Sequence, residues 1–102
     1  MVEEINSAQF MPKVLAADGK VLVEFFATWC PHCQRMEPIV EQISLQQPDI
    51  PIYKVDVDKE LELANTYAPD GFPTFVVFDE GEVMRQATGE QTIDYLEAML
   101  DF

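Results

Sequence analysis

The chain is short of cations, cysteine and histidine, and each shortage closes off a class of function. Six lysines and arginines stand against 19 aspartates and glutamates, a net charge of −13. No basic stripe exists to neutralise phosphates, so nucleic acid is excluded as a partner. The acidic surplus reads as a solvation device, with steering of cationic partners as the other reading. Two cysteines in 102 residues make no disulfide scaffold. No apolar run reaches bilayer length; the longest, "VLVEFFA", is broken by Glu24, and no membrane association is expected. The opening "MVEEINSAQ" carries acids where a secretory signal carries positive charge and then an apolar stretch, which predicts a cytoplasmic protein. Repeats, low-complexity tracts and linkers are also missing. One domain over residues 1–102 is expected, a size at which a single hydrophobic core suffices, in a chain 48% hydrophobic and 25% charged.

What is present alternates between strand and helix signals. A short extended piece, residues 2–5, precedes a helix ending near Ala17, with Gly19 placed as the glycine that stops it. "KVLVEFFA" (20–27) is β-branched and aromatic, the mark of a buried strand. A helix from Pro31 to about Gln47 carries a stripe of Met36, Ile39, Val40 and Ile43, and Pro38 inside it is expected to kink it. "IPIYKVDVD" (50–58) alternates around Ile52, Tyr53, Val55 and Val57 as a second buried strand. Residues 59–68 suit a helix with Leu61, Ala64 and Tyr67 or Ala68 on one face, and "PDGFP" forces a loop. "TFVVFD" and "EVMRQAT" flank Glu80–Gly81 as a hairpin. Gln91 to Leu100 closes as a helix burying Ile93, Leu96, Met99 and Leu100. The order β-α-β-α-β-α-β-β-α requires a mixed sheet with helices on both faces.

Residues 27–35, "ATWCPHCQR", hold both cysteines, the only histidine and the only tryptophan. A C-x-x-C in a chain of this kind points first to redox chemistry. If the helix begins at Pro31, a position where a missing N–H costs nothing, Cys30 takes the N-cap with its sulfur facing the free amides of the first turn. Those donors and the helix dipole stabilise a thiolate there, making Cys30 the better nucleophile and the better leaving group. Cys33, one turn inside, is shielded and within disulfide reach, so Cys30 is expected to attack a substrate disulfide and Cys33 to resolve the mixed disulfide. His32, charged or as a donor, adds stabilisation to the Cys30 thiolate, and stabilising the reduced form makes the pair more oxidising; the other reading of His32 is a plain surface residue. Cys30, Cys33 and His32 are too close along one turn to share a zinc, and no second C-x-x-C exists, so no metal or other cofactor is expected.

With "QFMPKVLAADGKVLVEFFATWCPHCQRMEP", "YKVDVDKE", "YAPDGFPTFVVF", "EGEV" and "TGE" in this order and spacing, the chain resembles the thioredoxin family from end to end. The resemblance implies a thioredoxin fold: an α/β architecture with a central mixed sheet of four to five strands flanked by helices on both faces. It implies that Phe72-Pro73-Thr74 is a cis-proline segment packed against the cysteines, where it hydrogen-bonds extended substrate backbone. Glu24 falls where the family has a buried aspartate beneath the site, and Lys54 matches that acid's lysine partner. A carboxyl under an apolar site has a raised pKa and can pass a proton to and from Cys33. The other readings are a Glu24 that reaches solvent and an ordinary strand-edge Lys54. Trp29 covers the site in the family, with a core tryptophan as the plainer reading. Gly71 and Gly89 match glycines that let other chains approach.

The departures bear on direction. The family usually has Gly-Pro between its cysteines; Pro31-His32 is instead similar to the periplasmic disulfide-introducing oxidases, which carry a helical insertion too large for 102 residues. Glu24 replaces aspartate, Phe26 stands where a second tryptophan is common, and Asp70 puts a negative charge beside the binding face. Three readings follow. The first is a monomeric protein-disulfide reductase served by a thioredoxin-reductase-type electron donor. The second is an oxidase or isomerase driven by the Pro-His insert. The third is a non-catalytic adaptor binding through Trp29, Phe72 and Pro73.

Overall fold

The structure, a computed structural model, describes residues 2–102. Five strands form one sheet: β1 (Glu3–Glu4), β2 (Lys20–Phe26), β3 (Ile52–Asp56), β4 (Thr74–Asp79) and β5 (Glu82–Thr88), in the order β1-β3-β2-β4-β5. β1, β3 and β2 run parallel, and β4 and β5 are antiparallel additions. Helices α1 (Ser7–Phe10), α2 (Pro31–Gln46), α3 (Leu61–Tyr67) and α4 (Ile93–Leu100) complete the expected order.

The sheet separates two apolar layers because β2 and β4 alternate apolar side chains on both faces. Val21, Val23, Phe25, Val76 and Phe78 pack beneath Phe10, Val14 and Tyr67. Leu22, Phe75 and Val77 pack on the other face against Met36, Val40 and Ile43 of α2 and Leu96, Met99 and Leu100 of α4. Each fully buried side chain of this size contributes about 1.5–3 kcal/mol. The first layer closes with an aromatic cluster, Tyr67 lying 5.3 Å from Phe10 and 5.4 Å from Phe78 between ring centroids. Among the described residues no helix is long and apolar enough to cross a membrane.

Several expected details differ. The helix thought to end near Ala17 is four residues of α-helix followed by a π-helical turn, Met11–Leu15, with Ala16 donating to the Met11 carbonyl at 2.8 Å. Pro12 has no N–H for the regular ladder, and the wider turn restores the bonding beyond it. Gly19 therefore lies beyond the cap and belongs to a turn instead. Leu61 is 65% exposed, and α3 docks through Leu63, Ala64 and Tyr67, with Ala68 buried just after it. The strand expected over 50–58 pairs only across Ile52–Asp56, and α4 starts at Ile93 behind a Thr92 cap that accepts from Tyr95 N–H. β3 is flanked by β1 and β2, so Lys54 is not on an edge.

The hairpin turn is Glu80–Gly81, with φ of 53° and 79°, the pair of left-handed residues that suits a two-residue β-hairpin. Its tip docks on the turn after the first helix: Glu80 N–H donates to Gly19 O at 3.1 Å, and Gly19 N–H donates to the Glu80 carboxylate at 2.5 Å. A Cβ on Gly81 would lie 2.2 Å from the Leu15 carbonyl oxygen, whereas one on Gly19 (φ 77°) meets nothing within 4 Å. Gly19→Ala is expected to cost about 1–2 kcal/mol of left-handed strain alone. Gly81→Ala adds a backbone clash and is expected to cost clearly more. Urea unfolding midpoints of the two variants check this, and equal losses would contradict the docking.

Candidate active site

The site is assembled where β2 ends and α2 begins. Cys30 sits at the N-cap in an extended conformation, Pro31 occupies the first helical position, and Gln34 N–H donates to Cys30 O at 3.0 Å to start the helix. Proline there gives up an amide the helix would leave unpaired. The Cys30 side chain does what an aspartate or serine does at other caps: its Sγ accepts from Cys33 N–H at 3.3 Å. Both cysteines are free thiols and both are buried. Burial pushes the Cys33 thiol up to about 12, helped by its hydrogen bond with Cys30 and the negative charges of Cys30 and Glu24, with a backbone hydrogen bond to Ala27 working the other way. At neutral pH Cys33 therefore holds its proton and needs a base to lose it.

Such a base lies below. Glu24 is 3% exposed on β2, which excludes the solvent-reaching alternative. Burial raises its pKa to about 7, with Glu37 adding to the rise and Lys54 opposing it. Lys54 sits opposite Glu24 on β3, half-buried, with Nζ over the Phe26 ring at 5.2 Å from the centroid. Val2, Glu24, Glu37, Val40, Glu41 and Lys54 line a cavity of about 70 Å³, which has room for water.

Above the thiols, the Phe72–Pro73 peptide is cis. The Cys30 thiol points at Phe72 O over a long 3.9 Å. Pro73 is buried, and its carbonyl is taken by Gly89 N–H at 2.7 Å. Thr74 Oγ1 donates to Gly71 O at 2.6 Å, so the Thr88 hydroxyl, 3.0 Å away, donates to Thr74. Among the described residues nothing in the chain accepts from Phe72 N–H, which leaves that residue's backbone for an outside strand. A Cβ on Gly89 would meet nothing within 4 Å, and one on Gly71 only Thr88 at 3.9 Å, so both face open space. Trp29 is 61% exposed, which overturns the core reading; its indole N–H donates to Asp58 at 2.8 Å and its ring meets Phe72 edge-on at 5.4 Å.

His32 belongs to an ion cluster at the rim of the site, where Arg35 Nη2 also lies 2.8 Å from its Nδ1. Its ring is tied at Nδ1 to the Glu90 carboxylate at 2.5 Å, and Arg35 donates to the same oxygen from Nε at 3.0 Å and Nη2 at 2.7 Å. Arg35 first and then His32 hold Glu90 down to about 2. Sequence reasoning missed Glu90, Arg35 and Asp58. The i,i+3 spacing of His32 and Arg35 was visible, but nothing local brings Glu90, after β5, to the start of α2. Among the described residues no group of three His, Cys, Asp or Glu side chains could hold a metal ion.

The comparisons agree with this geometry. The thioredoxin family model matches residues 1–101. A thioredoxin from Chlamydia pneumoniae is 32% identical over 101 residues, covering 99% of this chain and 97% of the relative. A bifunctional thioredoxin reductase/thioredoxin from Mycobacterium leprae (strain TN) is 33% identical over 87 residues, 84% of this chain and 19% of that one. The solved structure of a mutant thioredoxin from Halobacterium salinarum NRC-1 superposes with a TM-score of 0.86 at 33% identity, covering 97% of this chain and 87% of the other. Full-length relatives of this kind favour the reductase reading over the oxidase, isomerase and adaptor readings: the chain belongs to the thioredoxin family and is a thiol-disulfide oxidoreductase acting on protein disulfides.

Proposed function

We propose that the chain is a cytoplasmic, monomeric, single-domain protein-disulfide reductase in which Cys30 attacks and Cys33 resolves. The observation that carries the assignment is the Cys30 sulfur at the α2 N-cap, accepting an amide hydrogen bond beside the cis proline. The substrate chain lies along Trp29, Gly71, Phe72 and Gly89, pairing with the Phe72 backbone, with Pro73 and Thr74 holding the loop. The Cys30 thiolate attacks one sulfur of the substrate disulfide, and the other leaves as a thiolate. Glu24, with a pKa of about 7 and close enough to act electrostatically on Cys33, takes the Cys33 proton and can release it to the water-sized cavity beside Lys54. The Cys33 thiolate then attacks Cys30 Sγ, expelling the second substrate thiolate and closing the Cys30–Cys33 disulfide. Two electrons must return from a donor. The bifunctional thioredoxin reductase/thioredoxin of Mycobacterium leprae supports a thioredoxin reductase in that role, and in this reading the protein serves electron transport and cellular redox homeostasis.

Cys30→Ser is expected to abolish insulin disulfide reduction, followed by turbidity, while Cys33→Ser accumulates a mixed disulfide visible on a non-reducing gel. Full turnover by the Cys30 variant would contradict the assignment. Glu24→Gln is expected to leave the attack by Cys30 intact and to slow resolution, measured as decay of a preformed mixed disulfide by rapid quench. Stability carries a second signature. Because the folded pKa is about 7 against an ordinary 4.5, the native state holds a proton the unfolded chain has released. Stability therefore falls as pH rises through this window, by roughly 3 kcal/mol at about 1.4 kcal/mol per pH unit. Urea unfolding of the reduced protein between these pH values is expected to show that fall in wild type and to lose it in Glu24→Gln.

A further inference from the structure

The ion cluster at the rim of the site bears on what the Pro-His insert does. His32 Nδ1 lies 2.5 Å from a Glu90 carboxylate oxygen and 2.8 Å from Arg35 Nη2, so that ring nitrogen is taken up inside the cluster. In the charged ring the imidazolium faces an anion directly. Arg35, whose charge interacts with Cys30, spends two of its N–H groups on the same carboxylate. His32 and Arg35, on the first turns of α2, are thus both engaged by a residue from the loop after β5.

We propose that Glu90 is a positioning residue of the redox reaction: its carboxylate ties up the His32 ring and offsets the charge of Arg35 beside Cys30, and so shifts the Cys-Pro-His-Cys pair toward the reducing side. The inference rests on the reductase reading and names one contribution to it in a chain with this insert. Gly89, next in sequence, donates to Pro73 O, so the carboxylate is carried on a loop anchored to the substrate-binding segment. The anchor gives Glu90 a fixed place that a free surface acid lacks.

The test is the equilibrium between the Cys30–Cys33 disulfide with two glutathione thiols and the dithiol with one glutathione disulfide. It is read by thiol trapping in wild type, Glu90→Gln, His32→Ala and the double variant. Removing the anion leaves the charge of Arg35 unopposed beside the Cys30 thiolate and frees the His32 ring. Glu90→Gln is expected to favour the dithiol by on the order of fivefold, which is about 20 mV for a two-electron couple. In the His32→Ala background the same substitution is expected to act more weakly, because part of what Glu90 holds is already gone. An unchanged equilibrium in Glu90→Gln, or an equal shift with and without His32, overturns the proposal. A null result with wild type still at the reducing end leaves the reductase reading standing. An oxidising wild type that retains the coupling refutes the reductase reading alone.

Discussion

The site depends on one hydrogen bond, from the backbone N–H of Cys33 to the sulfur of Cys30 at 3.3 Å. It makes the nucleophile the cap of its own helix, so the start of α2 and the reactive sulfur are positioned together. Everything else arranges itself around that bond. Pro31 supplies a helix start that requires no amide. The cis Phe72–Pro73 loop covers the sulfur from the side, and β2 sets Glu24 below it on the face that α2 packs against. The two cysteines face opposite environments: Cys30 looks toward the substrate loop, while Cys33 is enclosed and held protonated.

Glu24 is the place where stability is given up for chemistry. A glutamate 3% exposed beneath an apolar layer is a costly residue for the fold, and Lys54 offsets only part of that cost. A fully paired, permanently ionised carboxylate would stabilise the protein better and would be a poor proton acceptor. Holding the group near neutrality matches it to the proton it has to receive.

The legible parts of the molecule were those encoded locally or in long motifs. β2 and β4 announced themselves through Val, Leu and Phe on both faces. The helix start at Pro31 and the hairpin at Glu80–Gly81 followed from the chemistry of those residues. Three features were not legible. The phase of α3 was misread because a helix of seven residues samples its buried face too briefly to separate Leu61 from Leu63. The π-helical turn at Met11–Leu15 depends on how the chain recovers from Pro12, which propensity does not describe. The Glu90 cluster spans 58 positions between His32 and Glu90, and only the folded sheet brings them together.

The Pro-His insert sits in a setting that the four residues from Cys30 to Cys33 do not reveal. Its ring is bound to an acid outside the pair, and the helix start, the cis-proline loop and the buried acid are assembled as the thioredoxin fold places them. The most direct test is the reduction potential of the wild-type pair in glutathione redox buffers, read by Trp29 fluorescence or thiol trapping. The account predicts a value near the reducing end, about −270 mV, where thioredoxins as a class sit. A value near the isomerase range, about −180 mV or higher, would contradict it.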